Sequence, residues 1–412
     1  MASQDYFNLA YQSALGSDKE KSASRETIRK LCAEQGIFSA SILPLYRAMS
    51  KGEVGGFTVP AINIRTLTYD TARAALRAAK SRDAGAIIFE IARTEIGYTD
   101  QSPDEYSTII MAAALKEGWR GPLFIQGDHF QASAKVWRTD PKKETGALED
   151  LIGKAVAAGF YNIDIDASTL VDLSQPTVEK QQDPNVQATV HFIRFIQGIN
   201  SAGASISIGG EIGEVGGKNS TEEELDAFLD GVERELGKGA LSKISVQTGT
   251  AHGGVVLPDG SLAKVSIDFD TLKRMSRKAR QRGLAGAVQH GASTLPEDAF
   301  HHFPESECAE IHLATGFQNF ILDHPALSDL SEKVSKTVQE RFSKDRGKEE
   351  TDAQFLYKTR KKVFGPLKKT FWDLPSDTRE EIGKGLEGRF GLIFDKLRIK
   401  GTRKETNKWV TA

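Results

Sequence analysis

The strongest constraint on the fold is a repeated alternation: eight short runs rich in Ile, Val and Phe, interleaved with longer stretches of helical periodicity. The runs are GFTVPAINI from Gly56, AGAIIFEI from Ala84, PLFIQGD from Pro122, YNIDID from Tyr161, SISIGGE from Ser205, KISVQTGT from Lys243, GAVQHG from Gly286 and EIHLATG from Glu310. Largely apolar runs mark strands buried on both faces, the condition of parallel strands covered by crossover helices. Between them lie amphipathic stretches such as TYDTARAALRAAKSR and GALEDLIGKAVAAGF. The stretch TEEELDAFLDGVERELG begins with Ser220 or Thr221, followed three residues on by Glu223 or Glu224, a capping-box start. Eight strand-helix units predict an α/β fold, a (β/α)8 TIM barrel over residues 51–325, with helical extensions at 1–50 and 326–412.

In such a barrel the active site forms at the carboxyl ends of the strands. Asp128, His129, Asp166, Glu211, His252 and His290 all fall there, in the third to seventh strands. A lone histidine more often caps a loop or satisfies a buried carbonyl. Three imidazoles delivered to the same rim beside two carboxylates point instead to a metal site, with His129, His252 and His290 as ligands. Three neutral imidazoles and an open fourth position suit Zn2+ in its catalytic mode, and Co2+, Mn2+ or Fe2+ fit the same donors. Glu211 and Asp166 are either further ligands or hydrogen-bond partners that orient the histidines.

Composition narrows the class. The chain has 412 residues, 39% of them hydrophobic, and a formal net charge of -2, enough for a large core and without a bias toward nucleic acid. Two cysteines, Cys32 and Cys308, cannot build a disulfide framework or a thiolate zinc knot. The start MASQDYFNLAYQ lacks the basic and apolar regions of a secretion signal, and no run of about 18 apolar residues is present. The expectation is a soluble cytoplasmic protein without membrane or nucleic-acid partners.

The ordered series GDH at Gly127, IDAS at Ile165, GEIGEVGG at Gly210, GTAHG at Gly249 and QHGAS at Gln289 resembles the class II, metal-dependent fructose-bisphosphate and tagatose-bisphosphate aldolases. The resemblance runs from about Gly55 to Phe320 and includes VPAINI, whose Asn63 matches the family's substrate-contacting asparagine. It implies a zinc-dependent lyase of carbohydrate metabolism, as in glycolysis, that cleaves a phosphorylated ketose through an enediolate. Asp128 takes the place of the family's proton-handling aspartate, and His129, His252 and His290 those of its metal ligands. Gly253, Gly291, Ser293 and Thr315 stand where the family contacts a phosphate, although tight turns and helix caps account for them equally well. A homodimer or higher homo-oligomer is implied.

Several positions depart from the family pattern. Val255 and Val256 follow GTAHG where a lysine is usual, Lys218 and Asn219 replace an acidic pair, and His312 and Ala314 replace an asparagine and an aspartate on the eighth strand. Glu222 to Glu224 read as the acidic first turn of a helix. The segments IIFEIARTEIGYTDQSPDEY and GDHFQASAKVW are similar to accessory-subunit-like relatives, some of which are sugar epimerases. Two alternatives therefore stay open: a metal-dependent ketose or ketose-phosphate epimerase, and a non-catalytic aldolase subunit. Beyond Pro325, Arg360, Lys361, Lys362, Lys368 and Lys369 read as a solvated helix face, with phosphate binding as the alternative.

Overall fold

The computed structural model describes residues 5–200, 203–213, 218–249, 257–258 and 266–411. Among the described residues nine parallel strands form one sheet: β1 (Ile37–Ala40), β2 (Val59–Asn63), β3 (Ile88–Ala92), β4 (Gly121–Gln131), β5 (Asn162–Asp166), β6 (Ser207–Gly213), β7 (Lys243–Val246), β8 (Ala287–Gln289) and β9 (Glu310–Leu313). Neighbours run in the order β4-β3-β2-β9-β8-β7-β6-β5, and pairing of β4 with β5 closes the ring into an eight-stranded barrel. Each of the eight barrel strands overlaps one apolar run of the sequence, with β3, β4 and β6 reaching beyond theirs. With helices around the closed ring, the chain is a (β/α)8 TIM barrel of the α/β class.

The strand β1 lies outside the eightfold count. It pairs with the amino-terminal half of β4, Ile37 opposite Gly121 through Ala40 opposite Phe124. Asn162 of β5 ties it in, donating to Ala40 O and Ile125 O and accepting from Ile42 N at 2.8 Å. The helix Leu43–Ser50 follows, and its Tyr46 hydroxyl donates to Glu310 inside the barrel.

Two irregularities shape the rim. β4 does not end at Asp128 as the sequence suggests: it continues to Gln131, with a bulge against β5 between Gly127 and Phe130. His129 adopts φ 41° within that bulge. Gly127 makes the bulge possible, since a Cβ there would meet the Phe130 ring at 2.4 Å. Bulges re-aim side chains, so Asp128 and His129 reach the rim from inside a strand. A second register shift, on β6 between Glu211 and Gly213, does the same for Glu211.

The predicted cap at the helix Glu222–Leu236 is present, with Thr221 and Glu224 closing a reciprocal capping box. The segment beyond Pro325 packs on the barrel wall. Its longest helix, Ser376–Lys396, lies against the helix Thr68–Lys80, joined by Arg77–Glu387 and Arg379–Asp70 ion pairs, with Arg82–Asp395 just past that helix's end, and its Phe390 packs on Phe317 of the helix Thr315–Leu322. Both cysteines are buried and free. Among the described residues no helix is long and apolar enough to cross a membrane.

Candidate active site

A column of buried polar groups fills the barrel axis below the rim. Lys243 of β7, 1% exposed, donates from Nζ to Gln126 at 2.8 Å, to Asp164 at 2.9 Å and to Glu310. Gln126 also donates to Glu90 and Glu310, each at 2.9 Å. Above them, His312 of β9 contacts Glu310 through Nε2 at 2.6 Å and Asp128 through Nδ1 at 3.0 Å. Burial opposes a charge on His312, yet Glu90 and Asp128, with hydrogen bonds to Asp128 and Glu310, raise its proton affinity well above that of a free imidazole. Burial, reinforced by Asp128, pushes the Glu90 carboxyl well above the usual carboxylate range.

The column opens into a cavity of about 410 Å3 at the carboxyl ends of the strands, lined among others by Asp128, His129, Glu211, His290 and His312. Three imidazoles cluster there, tilted to one another: the His290 ring lies 4.0 Å from His129 and 4.1 Å from His312, centroid to centroid. His129 Nδ1 is 3.0 Å from Asp166 and 3.1 Å from Glu211. His290 Nε2 is 3.0 Å from the Ser245 hydroxyl. Asn63 donates to Glu95 at 2.6 Å and to Asp128 at 3.3 Å. Asp128 is thus held by an amide on one oxygen and an imidazole on the other.

The donor set suits a divalent cation. His129, Glu211 and His290 can each direct a ligand atom to one point, these atoms lying within 4.8 Å of one another, and Asp128, His290 and His312 form a second such group. Burial, and then Asp166, pushes the Glu211 carboxyl up to about 7. Burial also works against a charge on Asp166, but hydrogen bonds with His129, Ser168 and Gln131 hold its carboxyl below the usual range. Glu211 and Asp128 raise the proton affinity of His129 well above normal, against its burial. Carboxylates that hold a proton on that ring would hold a dication in its place.

Of the residues singled out in the sequence, Asp128, His129, Asp166, Glu211 and His290 converge on this cavity, while His252 and Gly253 lie outside the described residues. Gly291, Ser293 and Thr315 line it as well. Gly291 takes φ 73°, the turn role open to it, and the Ser293 hydroxyl accepts from Gly316 N at 3.0 Å at the start of the helix Thr315–Leu322. Asn63, 2% exposed, donates its amide nitrogen to Glu95 and Asp128, while its Oδ1 makes no hydrogen bond among the described residues. Asn219 donates to Asp268 at 3.1 Å, and Lys218 pairs with Glu224 at 3.3 Å. Several lining residues escaped the sequence reading, among them Arg65, Glu95 and Gln131, and Lys361 of the carboxy-terminal segment, one of five cations read as a solvated face with phosphate binding as the alternative, lines the cavity as well. Arg65 had a visible signal, a cation two residues past the end of an apolar strand; the sequence did not set Lys361 apart from the similar cations around it.

A family model described as "Fructose-bisphosphate aldolase class-II" matches residues 44–370, beyond the Gly55–Phe320 span of the resemblance and into the carboxy-terminal segment. No curated protein matches the chain. Among solved structures, the fructose-bisphosphate aldolase of Campylobacter jejuni is 17% identical with a TM-score of 0.54, covering 89% of this chain and 97% of its own. The YdjI aldolase of Escherichia coli K12 is 13% identical with a TM-score of 0.50, covering 87% and 98%. The fructuronate-tagaturonate epimerase of Cohnella laeviribosi is 12% identical with a TM-score of 0.56, covering 94% and 86%. These likenesses are of fold.

Proposed function

Because the chain belongs to the class II fructose-bisphosphate aldolase family, we propose that it is a metal-dependent carbon–carbon lyase that reversibly cleaves a phosphorylated ketose. The observation that carries this reading is the convergence of Asp128 with His129, His290 and Glu211 in one cavity. His129, His290 and Glu211 would hold the metal, with His252 as the third imidazole expected from the sequence and Asp166 fixing His129. A bound Zn2+ or similar dication supplies a Lewis acid that offsets negative charge developing on the ketose carbonyl oxygen. Asp128 accepts the hydroxyl proton as the carbon–carbon bond breaks; the bonding electron pair moves toward the former carbonyl as an enediolate, and the hydroxyl-bearing carbon leaves as an aldehyde. His312 and Asn63 keep the Asp128 oxygens oriented for that transfer. A coupled triose assay on fructose and tagatose bisphosphates tests the reading: activity should vanish with a chelator, return with metal and leave no borohydride-trapped adduct. Absence of triose from every bisphosphate refutes it.

A metal-dependent ketose or ketose-phosphate epimerase is the second reading. Asn219 and His312 favour it: the loop acid of the family is replaced by an amide bonded to Asp268, and the eighth barrel strand offers an imidazole committed to Asp128. The epimerase among the similar folds acts on uronates, so proton NMR of ketoses and ketose acids incubated with the protein separates the two chemistries. Metal analysis removes the third alternative, a non-catalytic subunit, if one equivalent of dication is bound at the histidines.

A further inference from the structure

The cavity is electrically asymmetric. At the metal end it gathers Asp128, Asp166 and Glu211 around the imidazoles. Arg65 and Lys361 line the same cavity and belong to neither group of candidate ligands. Glu95 neutralises Arg65, accepting from its guanidinium at 2.7 Å, and Gln318 accepts from the same group at 2.6 Å. No ion pair involves Lys361 among the described residues, whereas its basic neighbours are all engaged: Arg360 with Asp323, Lys362 with Asp345, Lys368 with Glu105 and Lys369 with Asp373. One uncompensated positive charge therefore faces the cavity from the carboxy-terminal segment.

The surrounding structure fixes that charge in place. Lys361 sits on a short 3-10 turn, Arg360–Val363, between two residues pinned by carboxylates, and Val363 is fully buried. Gly365 N donates to Tyr98 O at 3.0 Å, so close that a Cβ at Gly365 would meet that oxygen at 2.6 Å. The Lys361 ammonium lies 5.9 Å from the Tyr98 ring centroid. Half-burial, and then Arg65, disfavours its charged form, so a cation is held where the fold alone gives it little support. A docked turn that presents such a charge to a polar cavity is suited to an anionic ligand.

We propose that Lys361, with Arg65 beside it, is the specificity determinant that receives an anionic group, a carboxylate or a phosphate, on the ketose end remote from the metal. The inference rests on the proposed function only for the ketose that carries the anion. It places part of the substrate site on the segment beyond the barrel, in the same chain.

The test uses the metal-loaded full chain and isothermal titration with fructose, fructose 6-phosphate, fructose 1,6-bisphosphate and fructuronate. The wild type should bind at least one anionic ketose more tightly than fructose, and the fructuronate and phosphate arms identify which anion is preferred. Lys361→Met retains the aliphatic stem and should weaken anionic binding on the order of tenfold to a hundredfold, the loss expected for a charge-assisted hydrogen bond, with fructose unchanged. Lys361→Arg should restore most of the preference. The melting temperature of Lys361→Met should be equal or higher, since it removes a half-buried cation that forms no ion pair among the described residues; if that variant is misfolded, Lys361→Gln provides the same comparison. Unchanged anion affinity in a folded Lys361 variant overturns the proposal, as does a wild type indifferent to ligand charge. Lys361-dependent anion binding without cleavage or epimerisation would sink the catalytic reading and leave this one standing; turnover insensitive to Lys361 would do the reverse.

Discussion

Replacing Lys243 by Met should be among the most damaging single changes to the stability of this barrel. Lys243 is 1% exposed and supplies the ammonium shared by Asp164, Gln126 and Glu310. Methionine keeps a flexible apolar stem, and the packing beside Gly209, where a Cβ would sit 2.9 Å from the lysine Cε, is largely preserved. What is lost is charge: His312 becomes the remaining cation for Glu310, and Asp164 is left 3.7 Å from that imidazole. Removing one partner of a buried ion pair costs about 3–5 kcal/mol. Burial already pushes the Asp164 carboxyl up, so proton uptake there should absorb part of the cost and bring the loss near the lower limit. Urea unfolding followed by circular dichroism measures it. Lys243→Met/Asp164→Asn, which removes one charge of each sign, should recover at least half. A loss below about 1 kcal/mol in the single variant would show that water, rather than Lys243, compensates the column.

Three further outcomes are expected. His129→Ala and His290→Ala should each lose metal and turnover together, with metal content read by elemental analysis, and His252→Ala should match them if it supplies the third imidazole. Asp128→Asn should keep metal and fold but slow turnover about a hundredfold to ten-thousandfold, the usual worth of a positioned base; a normal rate would remove the role assigned to it. Deleting residues 376–412 should yield insoluble protein, because it strips the buried Phe390, Phe394 and Ile393 from the wall formed by the helix Thr68–Lys80, and a soluble, cooperatively melting product would contradict that.

The barrel was legible because each strand is buried on both faces, which leaves a continuous apolar run between amphipathic helices. β1 was not, because IFSA is too short to stand out and is a strand only by virtue of the unusually long β4 beside it. Asp128 and His129 were found at the right rim but for an incomplete reason. The sequence suggests a strand end, whereas both side chains reach the cavity from mid-strand, at a bulge permitted by Gly127. Lys243 was hidden by its position at the head of KISV: a lysine there reads as a solvated strand edge, and only ring closure brings Gln126, Asp164 and Glu310 from three other strands to meet it. Lys361 was named only as one of five cations, because the carboxylates that satisfy the other four are scattered from Glu105 to Asp373 and cannot be matched to them from the sequence.

His312 gives the column a meaning beyond stability. A typical barrel interior is filled by apolar layers, but here the axis carries a chain of contacts from Tyr46 at the amino-terminal end through Glu310 and His312 to Asp128 at the cavity. Lys243 stabilises Glu310 as an anion, Glu310 helps to keep a proton on His312, and His312 places positive charge 3.0 Å from the oxygen of the proposed base. Each link is buried and would be unfavourable alone; together they compensate one another. His312, one of the two positions at which the sequence departs from its family on the eighth barrel strand, therefore joins the electrostatics of the barrel core to the rim, and a substrate bound there meets an aspartate whose orientation is set from the opposite end of the barrel.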